Sequence, residues 1–267
     1  MGPAVDYILE ARNISKHFGR VQALQGITLQ LERNEILALV GDNGAGKSTL
    51  IKIIAGALRK DSGEIFLEGK RVELENPLHA RTLGLEVVYQ DLALINCLNV
   101  YQNLFLAREL QKQWGPIRVL DHRRMEQESM EKLKMLGVKV KSCREWVARL
   151  SGGQRQSVAV AKAASFGKKV VILDEPTAAL GVDESRHVLE IVRGLKQRGA
   201  SVIIITHNME HAFAVADRFL VIRLGQVVGV RRKSETNIDE IVKMITGGVF
   251  VPSNATGWRP GVVPAQG

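Results

Sequence analysis

The 267-residue sequence predicts an α/β fold with an antiparallel β region at its start and a helical segment inserted into its core. Three observations predict it. "ILALV" (36–40), "VVILD" (170–174) and "SVIIIT" (201–206) are nearly continuous apolar runs, as strands covered on both faces of a parallel sheet require. A helical pattern follows each run, and that alternation defines an α/β core. Near the start, "ILEARNIS" and "LQGITLQLE" alternate apolar and polar residues, as half-buried strands do.

In chain order, the two alternating segments open the antiparallel region. "EIFLEGKRVEL" extends it as a hairpin turning near Gly69. Asn76 followed by Pro77 reads as a helix cap with a first-turn proline. Residues 91–165 show no buried strand. There "NVYQNLFLAREL" and "RRMEQESMEKLKMLG" are patterned as amphipathic helices. The core therefore spans 1–90 and 166–247, and the inserted helical subdomain spans 91–165. Residues 248–267, rich in Gly and Pro without a period, read as a flexible C-terminal tail.

Composition narrows the classes. Hydrophobic residues make up 45% and charged residues 24%, which excludes a disordered chain. The two cysteines, Cys97 and Cys143, form neither a disulfide framework nor a CxxC metal pair, and point to a reducing cytoplasm. "MGPAVDYILEARN" lacks the apolar stretch of a signal peptide. No run approaches the roughly 18 apolar residues of a membrane span, so work at a membrane would need another chain to cross it. The net charge of +9 suits a soluble basic surface, docking near anionic lipid, or nucleic-acid binding. The cations are scattered and their densest runs, such as 231–233, are short, so no nucleic-acid partner is expected.

"GDNGAGKST" (41–49) fits G-x-x-x-x-G-K-[ST] between a strand and a helix, the context a phosphate-binding loop needs. Gly41, Asp42, Asn43, Gly44, Ala45 and Gly46 would turn N–H groups toward a nucleotide's phosphates. Lys47 would reach the β/γ-phosphates, Ser48 would offer a hydroxyl to Mg²⁺, and Thr49 would donate toward the α-phosphate. "VVILDEPT" ends a buried strand in two acids. Asp174 can hold Mg²⁺ there, and Glu175 is placed for the attacking water. "IIITHN" brings His207 to a strand's C-terminal end, where α/β sheets place ligands. Gln90, after "VVY", could watch the metal and γ-phosphate. "RLSGGQRQSVAVAKAA" (149–164) opens a helix on a second glycine loop that lacks a lysine. It offers backbone N–H groups to a phosphate but leaves open whose phosphate that is.

The order of these motifs resembles the nucleotide-binding subunits of ATP-binding-cassette (ABC) proteins, over about residues 7–247. The resemblance implies ATP and Mg²⁺ as cofactors, with Mg²⁺ near Ser48, Gln90 and Asp174. It implies that two subunits pack head-to-tail with ATP between them. The second loop then addresses the partner's γ-phosphate through Ser151, Gly152, Gly153 and Gln154. By the same resemblance Phe18 stacks on adenine, Glu175 is the general base, His207 is the switch histidine, and Gln90 links the site to a transmembrane partner. Gly181 departs from the pattern, which usually has Asp there.

"GDNGAGKSTLIKIIAG", "EVVYQDLALINCLNVYQNLFLARE" and "PTAALGV" resemble the carbohydrate-importer branch, in which Gly at the position of Gly181 is common. The resemblance implies a homodimer on integral-membrane permease subunits at the cytoplasmic face of the inner membrane. A periplasmic sugar-binding protein would deliver fructose, ribose or xylose. The competing readings are a soluble cassette ATPase acting on ribosomes or DNA, and the ATPase of an exporter. A permease segment is expected in a groove lined by Leu92, Leu94, Ile95, Leu98, Val100 and Phe105; alternatively these residues form the lobe's own core.

Overall fold

The computed structural model describes residues 6–166 and 169–247. The expected tail, 248–267, lies outside the described residues.

Strands β1 (Tyr7–Phe18) and β2 (Val21–Glu32) pair antiparallel. Strand β3 (Ile36–Gly41) follows and leads into helix α1 (Lys47–Ile54). The hairpin of β4 (Ser62–Leu67) and β5 (Lys70–Val72) joins β1 to make a four-stranded antiparallel sheet. It turns at Gly69, whose φ is 74°, a left-handed conformation that suits glycine. Helix α2 (Pro77–Thr82) starts as its sequence predicts: the Asn76 side chain accepts from His79 N at 2.8 Å. Strand β6 (Leu85–Val88) then enters the second sheet.

That second sheet has six strands. Its order is β12 (Gln226–Arg232), β11 (Arg218–Arg223), β3, β10 (Ser201–Ile205), β9 (Val170–Asp174) and β6. All neighbours run parallel except the β11–β12 edge pair. The continuous apolar runs follow from its two covered faces. Ala38, Val40, Val171, Leu173, Val202 and Ile204 enter one core with the helices. Leu37, Leu39, Val170, Ile172, Ile203 and Ile205 enter the other, against the antiparallel sheet and α1. Helices α6 (Val182–Gln197), α7 (Met209–Val215) and α8 (Ile238–Thr246) complete the core. Buried Arg218 donates to Glu35 at 2.7 and 3.0 Å and ties the β2–β3 turn to β11. Burial raises the Glu35 carboxyl, and Arg218 pulls it back down.

The segment between β6 and β9 differs from the sequence expectation in two ways. The helix expected over "NVYQNLFLAREL" is only five residues, α3 (Val100–Leu104). Beyond it Arg108 reaches back to buried Glu86 at 2.7 Å and lies over the Phe166 ring. Those long-range contacts take the chain out of the helix, and periodicity cannot register them. Next comes an exposed hairpin that the sequence reading missed, β7 (Gln111–Trp114) and β8 (Ile117–Leu120). Helices α4 (His122–Met135) and α5 (Gly152–Phe166) follow.

The expected permease groove is also corrected in part. Val100 and Phe105 are buried with Met125, Leu133 and Val147 in the lobe's own core. Leu92 and Leu94 are half-buried against that core, while Ile95 is exposed. Of the residues expected in that groove, those of the loop ahead of α3 are the ones that offer apolar surface.

Candidate active site

The phosphate-binding loop turns from the buried end of β3 into the first turn of α1. Its geometry requires glycine. Gly46 has φ 104°, and a Cβ there would lie 2.7 Å from the Ala23 carbonyl oxygen. At Gly41 a Cβ would lie 2.1 Å from Ile222 O. Lys47 is buried at the helix start, and its ammonium donates to Gly41 O and Asp42 O, both at 2.8 Å. Burial lowers its pKa, opposed by the charges of Glu175, Asp174 and Asp42. The Asp42 carboxylate accepts from Asn43 N at 2.7 Å.

A cleft of about 210 Å³ lies over this loop. Its lining includes residues 43–49, Gln90, Asp174 and Glu175. The strand register explains the convergence. Asp174 closes β9 directly beside Ile205 of β10, two residues before His207. Burial raises the Asp174 pKa and adjacent Glu175 raises it further, against Lys47 and Lys52. Glu175 takes φ 51°, and its N–H donates to Ile205 O at 2.9 Å. Its Oε1 accepts from His207 N at 3.1 Å and lies 2.9 Å from His207 Nδ1. Glu175 is largely covered, while the imidazole is exposed. Sequence reading named both residues but missed their contact, because it did not fix the neighbouring order of β9 and β10. Phe18 lies half-exposed at the end of β1 and is not part of this cleft's lining.

The second glycine loop lies apart from that cleft. Ser151 N donates to Gln154 Oε1 at 3.0 Å, and Gln154 N donates to Ser151 Oγ at 3.2 Å. This reciprocal pair is a capping box written in S-x-x-Q, a signal the sequence reading left unused. Gly153 packs so close that a Cβ would lie 2.6 Å from the Glu184 carboxyl carbon. Glu184 also accepts from Gly181 N at 3.3 Å and lies 3.5 Å from Ser151 Oγ. Ser151, Gly153 and Gln154 line a separate pocket of about 360 Å³ with Lys139, Asp183 and His187. Among the described residues the two phosphate-type loops line different cavities.

Asn103 is another residue the sequence reading passed over. It is fully buried, accepts from Ile95 N at 2.7 Å, and donates to the carbonyls of Ile95, Leu98 and Asn99. It fixes the loop that carries exposed Ile95.

A glycine-lined loop with an invading lysine, at the end of central parallel strand β3 and facing two adjacent acids at the tip of β9, defines a P-loop nucleotide-binding enzyme. The ABC transporter family model matches residues 24–178. The chain is 47% identical over 239 residues to the xylose/arabinose import ATP-binding protein XylG of Sulfolobus acidocaldarius, covering 90% of this chain and 94% of that one. It is 47% identical over 258 residues to the fructose import ATP-binding protein FrcA of Rhizobium meliloti, covering 94% and 98%. It is 40% identical to the ribose import ATP-binding protein RbsA of Geobacillus kaustophilus, spanning 48% of that longer protein. A nucleotide-free ATP-binding cassette from an ABC transporter superposes with a TM-score of 0.76 at 25% identity, over 90% of this chain and 95% of that one. The chain belongs to the ABC transporter family. It is an ATP hydrolase coupled to transport.

Proposed function

We propose that this chain powers a monosaccharide importer, with a pentose or fructose as cargo. The observation that carries the reading is the convergence of Lys47, Ser48, Gln90, Asp174 and Glu175 on one cleft. The names of the relatives, import proteins for xylose/arabinose, fructose and ribose, support the cargo class. We infer a homodimer, supported by a dimeric cassette of the same fold. Its membrane partner is a permease, served by a periplasmic sugar-binding protein, and the subunit sits peripherally at the cytoplasmic face. No helix among the described residues is long and apolar enough to cross a membrane.

ATP phosphates would rest on the N–H groups of residues 43–49 at the α1 N-terminus. Lys47 would exchange its two carbonyl partners for β/γ-phosphate oxygens. No cluster of three or more His, Cys, Asp or Glu able to hold a metal occurs among the described residues. Ser48, Asp174 and Gln90 instead form a partial oxygen donor set. Such a set fits Mg²⁺, which keeps waters and takes phosphate oxygens as ligands. Bound there, Mg²⁺ would neutralise charge on the β- and γ-phosphates. Glu175 would accept the proton of the attacking water as the bond from the γ-phosphorus to the β–γ bridging oxygen breaks. His207 holds Glu175 in the present geometry and would turn to the γ-phosphate on closure. Phe18 would stack on adenine. Ser151 and the Gly152–Gly153 backbone would serve the partner's γ-phosphate, with Gln154 shaping the loop through its capping bonds.

Reconstitution with the permease and binding protein in vesicles tests this reading. ATP turnover should rise on adding one pentose or fructose. Lys47→Ala should lose ATP binding. Glu175→Gln should keep binding while turnover falls by about 10²- to 10⁴-fold. Near-wild-type turnover in Glu175→Gln, or stimulation by no sugar, would overturn it.

A further inference from the structure

We propose that the β7–β8 hairpin is a membrane-contact element that seats its apolar tip in the headgroup zone of an anionic lipid surface. Among the described residues the hairpin belongs to neither large sheet and forms a two-stranded ribbon of its own. Its base is fixed, because Asp121 N donates to Leu110 O at 2.8 Å and the Asp121 carboxylate caps α4 through Arg124 N. The tip projects. Trp114 and Ile117 face each other across the turn and are 72% and 58% exposed. Leu120 and Met130 add further exposed apolar surface. A tryptophan beside aliphatic side chains is the composition that membrane interfaces favour.

Within the hairpin itself the charge has one sign. Residues 111–120 contain Lys112 and Arg118 and no acid. Lys112, Arg118 and nearby Arg123 make no salt bridge among the described residues. Their neighbours Arg124 and Arg144 do, with Glu128 and Glu126. Beside the hairpin lies a hollow of about 640 Å³, lined by Lys112, His122 and Arg123 together with Leu120 and Met130, and by Glu126, whose charge Arg144 pairs at 2.9 Å. Cations and apolar groups in one concavity match a lipid, whose phosphate and acyl root carry both features. A nucleic acid would satisfy the cations but leave Ile117, Leu120 and Met130 in water. Basic residues near an anionic leaflet are each attracted to it, so the hairpin also gives part of the chain's +9 charge a defined target.

The test uses the full chain with Trp146→Phe and Trp258→Phe, which leaves Trp114 as the sole tryptophan. Vesicles of phosphatidylcholine, with and without phosphatidylglycerol, are sedimented with it. Binding and a blue shift of Trp114 emission should occur with the anionic vesicles and be weak with the neutral ones. Lys112→Glu with Arg118→Glu should reduce partitioning by at least about 25-fold, at roughly fivefold per cation. Trp114→Ser, in the chain that keeps Trp146 and Trp258, should also weaken sedimentation. A control of equal charge change elsewhere, Lys70→Glu with Lys233→Glu, should retain most of the binding. ATP binding should survive in all these variants and report folding. Equal losses in hairpin and control variants would overturn the proposal. So would an unshifted Trp114 spectrum on bound vesicles, or a hairpin variant that binds vesicles normally yet fails to copurify with the permease.

Discussion

Asp174 sits at a strand tip where burial and the adjacent Glu175 carboxyl both favour its neutral form. Its folded pKa is raised, so the folded state binds this proton more tightly than the unfolded chain does. Stability attached to it is therefore fully present below the unfolded value and lost as pH rises through the folded one. Ionised Asp174 is a destabilising group kept for its chemistry. Asp174→Asn should raise the melting temperature of the nucleotide-free subunit at about pH 8. The gain should shrink toward acid pH, as the wild-type carboxyl takes up its proton. Calorimetry at both pH values measures it, and ATP turnover should be lost in the same variant. A lower melting temperature at pH 8 would mean that attraction to Lys47 outweighs burial. At this scale the sequence names the acids, the lysine and the histidine, because each lies at a strand end or in a motif of fixed spacing. It does not show that Glu175 and His207 touch, since that contact depends on the β9–β10 register.

Elements differ in how much they reveal. β3, β9 and β10 are legible because burial on both faces leaves polar residues only at strand ends, Asp174 and Ser201. α3 and the β7–β8 hairpin are not. Trp114-Gly115-Pro116 is a turn signal, but its flanks are exposed on both sides and carry no alternation to read. α3 ends where Arg108 finds Glu86, a pair 22 residues apart in sequence. We propose the loop ahead of α3 as the permease-docking surface, because its exposed Ile95 is now separable from buried Val100 of α3. Ile95→Glu should leave the isolated subunit folded and still binding ATP, while its recovery with the permease in detergent falls. Val100→Glu should unfold the subunit, because a charge would replace a fully buried side chain. Asn103 supports the distinction, since its four hydrogen bonds hold Ile95 outward on a fixed loop. If Ile95→Glu copurifies at wild-type yield, the coupling surface lies elsewhere in the chain.

At the scale of the molecule, we propose that the chain carries half of two sites. The Lys47 cleft is lined by a lysine, two acids and a glycine loop, and among the described residues the Ser151 loop is not part of that lining. The Ser151 loop has exposed donors at the start of a 15-residue helix but no lysine and no acid of catalytic type within its loop. Each supplies what the other lacks, so a head-to-tail pair would complete both at once. Phosphate charge would be the main bond across such an interface. Closure should then depend on an intact γ-phosphate, and slowing hydrolysis should trap it. Without nucleotide, the purified subunit should elute from gel filtration as a monomer. Glu175→Gln with ATP should elute as a dimer, because the carboxylate that accepts the water's proton is gone while the phosphate contacts remain. Adding Ser151→Ala to Glu175→Gln should weaken that dimer without weakening ATP binding by the monomer, since Ser151 would touch only the partner's nucleotide. Equal loss of monomer affinity would place Ser151 on its own chain's ATP. An ATP-loaded Glu175→Gln protein that stays monomeric at high concentration would remove the head-to-tail arrangement itself.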